Sequence, residues 1–172
     1  MLIIFGGLPG TGKTTLAREL ARRLAAVHVR IDSIEQAIRS SSLRVVSIDD
    51  AGYRVGYAVA ADNLAVGHRV IADSVNPLTL TRDAWVDVAR RADVDGIEVE
   101  VVCSDRDEHR RRIEARSSDI PALRLPTWDE VVGREYHAWE RDRIVVDTAH
   151  QTIEQAVDAL HVAIAAHGKA GG

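Results

Sequence analysis

Lysine is almost missing from this chain. Of its 22 basic residues only Lys13 and Lys169 are lysine, and the other 20 are arginine. A composition so biased towards arginine keeps a lysine where a slim ammonium must enter a space that a planar guanidinium does not fit. Cysteine is scarcer still. Cys103 stands alone, which excludes an internal disulfide and suits a reducing, cytoplasmic setting. It sits near the end of an apolar strand pattern and reads as a small buried side chain rather than a reactive thiol. Aromatics make up only 4% of residues. Trp128, Tyr136 and Trp139 read as packing rather than as a stacking platform. The seven histidines show no paired metal-ligand spacing, and His28, inside a strand pattern, reads as a packed or rim residue. No apolar run approaches the roughly 18 residues of a membrane span. The start has neither a basic stretch nor a small-residue cleavage site, so no signal peptide is expected. The formal charge of −4 argues against a nucleic-acid scaffold but leaves room for a local basic patch.

What is present is concentrated near the start. Residues 7 to 15 read Gly7-Leu8-Pro9-Gly10-Thr11-Gly12-Lys13-Thr14-Thr15, a complete G-x-x-x-x-G-K-[ST] phosphate-binding loop. Leu2 to Phe5 before it is short and apolar; Leu16 to Leu24 after it has helical spacing. Strand, glycine loop and helix in that order give the motif its structural context. Glycines let backbone N–H groups converge on phosphate oxygens, and the helix N-terminus adds orphan donors and partial positive charge. Lys13 is expected on the β- and γ-phosphates of ATP, and the Thr14 hydroxyl on Mg²⁺.

The rest of the 172 residues fits one domain, 1–172. The spacing predicts strands at 27–31, 70–72, 97–103 and 144–146. It predicts helices at 33–39, 51–66, 78–92, 105–116, 128–139 and 152–166, with Pro77 opening the third of these. Residues 40–50 read as irregular, 117–126 as a loop with two prolines, and about 167–172 as a frayed tail. Strands separated by helices imply a parallel sheet covered on both faces, with ligands at the carboxyl ends of its strands. The acceptor pocket is expected between Ser33 and Val66.

Three aspartates follow strands at that edge: Asp32, Asp73 and Asp147. Asp32 is placed to orient an acceptor hydroxyl and take its proton, or else to cap the following helix. Asp73 is placed to support Mg²⁺ or to bind the acceptor. In the helix at 105–116, Arg112 and Arg116 lie four apart and would share a face. Followed by a proline-bearing loop, they suggest a lid at about 105–127 that clamps phosphates, or else a solvated charged helix.

With these residues on hand, the chain resembles the small P-loop kinases of the nucleoside-monophosphate-kinase-like group. Within that group it looks like the polynucleotide 5′-hydroxyl kinase, zeta-toxin and chloramphenicol-phosphotransferase branch, and many AAA-family ATPases are similar to it. The resemblance implies a three-layer α/β/α fold with a five-stranded parallel sheet in the order 2-3-1-4-5 and a small lid. It makes Asp32 the general base. The stretch Asp73-Ser74-Val75-Asn76-Pro77 with Arg82 and Trp85 is similar to the D-x-x-N-P…R-x-x-W segment of polynucleotide kinases and implies acceptor-site roles for Asn76 and Arg82. Arg112 and Arg116 resemble the arginines at the base of the lid, and Asp147 and Thr148 the segment near the adenine. The activity implied is transfer of the γ-phosphate of ATP to a hydroxyl of a small molecule. A polynucleotide acceptor or a slow ATP-hydrolysing regulator are the alternatives. The chain has no Asn-Lys-x-Asp, which a GTPase would carry, and no Gly-Gly pair after the third strand, unlike shikimate kinases. It has no Asp-Glu after that strand, and is too short for the helical lid domain of an AAA+ motor.

Overall fold

A computed structural model describes residues 1–43 and 45–167. The frayed tail expected at about 167–172 lies outside them beyond His167. The chain alternates strands and helices: β1 Leu2–Gly6, α1 Lys13–Leu24, β2 Val27–Arg30, α2 Ile31–Arg39, α3 Ala51–Ala65 and β3 Val70–Asp73. There follow α4 Thr79–Arg91, β4 Gly96–Val102, α5 Arg106–Ala115, α6 Trp128–Val132, β5 Ile144–Asp147 and α7 Ile153–His167. The five strands form one parallel sheet in the order β2-β3-β1-β4-β5, as expected.

The central strand explains the layers. Every residue of β1 is buried, because side chains alternate between two covered faces. Ile3 and Phe5 pack with Leu16 and Leu20 of α1 and Val157 and Leu160 of α7. Leu2 and Ile4 pack on the other face with Ala60 and Leu64 of α3 and Trp85 of α4. Helix α1 buries Leu16, Ala17, Leu20 and Ala21, the spacing of an inward stripe. Burying each large apolar side chain contributes about 1.5–3 kcal/mol. No described helix is long and apolar enough to cross a membrane.

Two expectations need correcting. The helix expected at 33–39 begins two residues earlier, at Ile31, directly from the last residue of β2. Arg30 is its N-cap residue and no side chain caps it, so Asp32 lies in the first turn and is not a cap. The helix expected at 128–139 stops at Val132, with Gly133 closing its last turn.

Residues 133–143 instead run irregularly over α4 and β4, for a reason that lies elsewhere in the chain. Arg82 is fully buried and donates to the carbonyls of Asn76 (2.9 Å), Pro77 (3.2 Å), Ala138 (3.0 Å) and His137 (2.6 Å). Its guanidinium also lies over the ring of Trp139, 4.2 Å from the centroid. Trp139 presses on Gly6 so closely that a Cβ there would lie 2.5 Å from the indole. Buried Glu98 on β4 receives both ends of the Arg141 guanidinium at 2.8 and 2.9 Å, and Glu100 receives Arg143 at 2.6 Å. A helix through 133–143 would turn the carbonyls of His137 and Ala138 onto itself and take two of the four partners from Arg82.

Arg82→Ala is therefore expected to destabilise the fold. Four carbonyls lose their donor, at a cost of about 3 kcal/mol. For a chain of this size that lowers Tm by roughly 6–12 °C. Thermal denaturation checks it; an unchanged Tm with an altered acceptor KM would return Arg82 to the acceptor site.

Candidate active site

The turn from β1 into α1 sits at the carboxyl edge of the sheet. Gly7 has φ +134°, and a Cβ there would lie 2.1 Å from the Val101 carbonyl, so no other residue fits without moving β4. Its N–H donates to Val75 O at 3.0 Å, tying the start of the loop to the segment after β3. Gly12, with φ 93°, is the N-cap residue of α1, which opens at Lys13. Thr11 Oγ1 and Lys13 Nζ both donate to Leu8 O, at 2.9 and 3.0 Å. From the other side the Thr148 hydroxyl donates to Thr11 O at 2.8 Å.

Beside this loop lies a cavity of about 910 Å³. Of the expected nucleotide-binding residues, Pro9, Gly10, Gly12, Lys13, Thr14, Thr15, Arg112 and Thr148 line it. Gly7, Leu8 and Thr11 support the loop from behind. Asp147 turns back, accepting from the N–H groups of Ser104 and Ala149 at 3.0 Å each. Asp32, Asp73 and Arg116 line the cavity as well. Asn76 and Arg82 do not: Asn76 is fully buried, has φ 48° and donates to Phe5 O at 2.7 Å. Both build the floor under the Asp73 turn, so their expected contact with an acceptor is not made by their side chains.

Asp73 is 3% exposed at the end of β3, and His28 Nε2 donates to its Oδ2 at 3.1 Å. His28 thus orients a cavity carboxylate rather than merely packing. The Asp73 carboxylate and the Thr14 hydroxyl are hard oxygen donors on the cavity wall beside Lys13, a set whose chemistry fits Mg²⁺. Burial pushes the Lys13 pKa down; Asp73 and Asp32 oppose this, while Arg116 and Arg134 add to it. The two carboxylates favour the charged ammonium and burial disfavours it, and interactions of a group so enclosed are stronger than in water.

The two lid arginines part company. Helix α5 ends at Ala115, and Arg116 follows in extended conformation, so the pair does not share a helix face. Arg112 donates to Thr148 Oγ1 (2.7 Å), Thr148 O (2.8 Å) and Glu108 (2.5 Å). Arg116 enters the cavity with its Nε buried and unpartnered, flanked by Asp32 and Arg30. Helix α5 itself is docked rather than loose. His109 Nε2 donates to Pro9 O at 2.7 Å, which fixes its proton on that nitrogen, and Ile113 packs on Gly10. Trp128 packs edge-on against His109, with ring centroids 5.3 Å apart. The lid expected at about 105–127 thus includes a helix docked on the glycine loop.

Several cavity residues were not expected, and Glu35, Arg39, Arg30 and Arg134 are among them. Glu35 lies one turn from Asp32 on α2, and burial raises its pKa, with Asp32 adding to the rise. Arg39 continues the same stripe, a spacing the sequence did offer. Arg30 is the last residue of β2, in register with Asp73. Arg134 reaches the cavity from beyond Gly133, on a stretch expected to be helical. By contrast, no described residue between Ser40 and Val66 lines it, which narrows the expected acceptor region to α2. Burial raises the Cys103 thiol, which agrees with an inert cysteine.

Residues 2–132 match the family model described as "AAA domain". No curated protein matches the chain in sequence. Among solved structures the fold is similar to Kti12 of Chaetomium thermophilum in complex with ADP-AlF3, at 23% identity and TM-score 0.67, over 95% of this chain and 99% of that one. It is similar to the APS kinase CysC of Mycobacterium tuberculosis in complex with AMPPNP and APS, at 19% identity and TM-score 0.65, over 93% and 95%. A gluconokinase from Sinorhizobium meliloti 1021 is similar at 16% identity and TM-score 0.62, over 91% and 86%.

Replacing Lys13 by alanine should weaken binding of a non-hydrolysable ATP analogue about tenfold or more, since a charge-assisted contact in a dry wall is lost. Calorimetry with wild type and variant decides it; equal affinities would remove the phosphate site from this loop.

Proposed function

The chain belongs to the AAA-domain family, and from that premise we propose that it is a cytoplasmic kinase that transfers the γ-phosphoryl group of MgATP to a hydroxyl of a small-molecule acceptor. The observation that carries the reading is Asp32. It is exposed to the cavity, lies in the first turn of α2, caps nothing, and shares the wall with Lys13. A protein that only binds and hydrolyses ATP as a switch has no use for a second carboxylate there. The kinase names of similar folds agree with the reading.

The chemistry follows from the positions. Backbone N–H groups of Gly12, Lys13 and Thr14, at the N-terminus of α1, take the phosphates. Thr14 and Asp73 would hold Mg²⁺, which supplies charge neutralisation on the β- and γ-phosphates. Asp32 accepts the proton of the acceptor hydroxyl as that oxygen forms its bond to the γ-phosphorus. The bond from the γ-phosphorus to the bridging oxygen breaks, and ADP departs with the electron pair. Lys13 and Arg116 face the charge spread over the transferring oxygens. Arg112, already spent on Thr148 and Glu108, holds the nucleotide side of the cavity together.

A second reading, a polynucleotide 5′-hydroxyl kinase, draws support from the basic cavity wall. Against it stands the short bridge across the cavity mouth, where Asp119 on the 116–126 segment meets Arg18 and Arg30.

Asp32→Asn keeps the shape but removes the proton acceptor. Phosphoryl transfer should fall about 10²-fold or more, with ATP-analogue affinity and Tm nearly intact. Loss of stability alone would make Asp32 a structural residue.

Arg116→Ala should lower kcat with little change in the KM for ATP, because its charge counts most in the transition state. Arg112→Ala should chiefly raise that KM by loosening Thr148. Steady-state kinetics of both variants separate the roles; identical profiles would place the two arginines in one.

A further inference from the structure

The cavity wall and the whole chain carry opposite charge. Eight lining side chains are basic and four are acidic, a surplus of four positive charges in a chain of net −4. A nucleoside triphosphate with one Mg²⁺ brings roughly two negative charges. The remainder includes Arg134, which has no ion-pair partner among the described residues, and Arg18 and Arg30, which share the single carboxylate of Asp119.

Arg30 is the most informative of these. Its side chain is only 14% exposed, and its Nε is buried with no partner. Its anionic partner is supplied by the chain itself. Arg30 Nη1 donates to both oxygens of Asp119 at 2.9 Å each, and Arg18 Nη2 donates to Oδ2 at 2.6 Å. One carboxylate clasped by two guanidiniums is the geometry such a pair gives to any oxyanion. Arg18 stands one helical turn after Thr14, so the clasp begins beside the phosphate loop. It also lies beside the proposed base, since Arg116 has Asp32 and Arg30 as its charged neighbours. Arg30 and Asp32 lie two residues apart at the junction of β2 and α2 and line the same cavity, so a small molecule anchored at the clasp by its anionic group is offered Asp32 on the same wall.

Resting on the kinase reading, we propose that the acceptor is a small oxyanion whose charged group takes the place that Asp119 holds between Arg18 and Arg30. Asp119 is a built-in stand-in. Its pairing with Arg18 is half-exposed, at 51% and 42% of side-chain surface, and ion pairs so open to water are weak. An acceptor that brings its own oxyanion exchanges for it on the same two guanidiniums and frees the 116–126 segment. A neutral hydroxyl compound leaves the clasp occupied. Arg134 has no ion-pair partner among the described residues and stands ready for a second charge on the same molecule.

The test uses the full chain saturated with Mg²⁺ and a non-hydrolysable ATP analogue, so that the phosphate loop is filled. Failure of the analogue to bind would overturn the kinase reading before the acceptor is addressed. Sulfate, methyl phosphate, glycolate and glycerol are then titrated by calorimetry, with a 5′-hydroxyl oligonucleotide as a further probe. Saturable binding of the oxyanions and not of glycerol is expected, and the tighter probe tells a phosphate or sulfate ester from a carboxylate. Asp119→Asn removes the internal competitor and should tighten oxyanion binding about two- to fivefold. Arg30→Gln should weaken it about tenfold or more, and Arg30→Lys, which keeps the charge, should recover part of the loss. Oxyanion binding unaffected by Asp119→Asn and Arg30→Lys alike, at unchanged Tm, would overturn the proposal, as would glycerol binding equal to glycolate. An oligonucleotide that binds more tightly than every small oxyanion, and loses that binding in Arg30→Gln, would replace it with the polynucleotide reading.

Discussion

β1 lies between β3 and β4 with both of its faces covered, so the turn that leaves its carboxyl end has no room to shift sideways. Gly7 is held by Val75 on one side and crowded by the Val101 carbonyl on the other. A few residues on, Thr148 grips the loop through Thr11 O. Every group of the candidate site is placed relative to that pinned turn. Lys13 opens the helix that the turn produces, Asp73 ends the neighbouring strand, and Asp32 starts the helix after the next strand out. A parallel sheet puts these three ends on one edge because its strands all run the same way.

The arginines show how one residue type is divided among tasks by what surrounds it. Arg82 is enclosed by four backbone carbonyls and two aromatic rings, so its charge is consumed in holding an irregular segment. Arg141 and Arg143 serve the two glutamates of β4. Arg112 locks α5 to the segment after β5. Arg30, Arg116 and Arg134 line the cavity and contribute to its surplus positive charge. A guanidinium is planar with five donors, so it can fill any of these roles; which one it fills depends on the acceptors within reach.

The same pinning limits which parts can move. α5 is held to the phosphate loop by His109 and Ile113, both buried. The 116–126 segment is tied across the cavity mostly through Asp119, whose carboxyl the two arginines hold down at about 2. That pairing therefore stays charged across the neutral range while half-open to water.

Much of this was legible in the amino-acid sequence. The glycine loop with its lone lysine, the alternation of apolar strands and amphipathic helices, and the aspartates after β2 and β3 are local patterns, fixed by backbone geometry and side-chain periodicity within a few residues. They account for the sheet, for its order through the resemblance they carry, and for the glycine-loop side of the cavity. The sequence could not show that Asn76 and Arg82 lie under the site instead of in it, or that 133–143 refuses the helix its residues permit. Nor could it show that Arg116 leaves its helix while Arg112 turns to Thr148, or that Arg30 and Asp119, far apart in the chain, meet across the cavity. Each of these depends on a partner far away in sequence: carbonyls waiting for a buried guanidinium, a glycine flat enough for Trp139, a carboxylate closing a clasp. Helical propensity and charge spacing are worth tenths of a kcal/mol per residue, whereas an unpartnered buried polar group costs about 1–3 kcal/mol, so where the two conflict the tertiary partners decide.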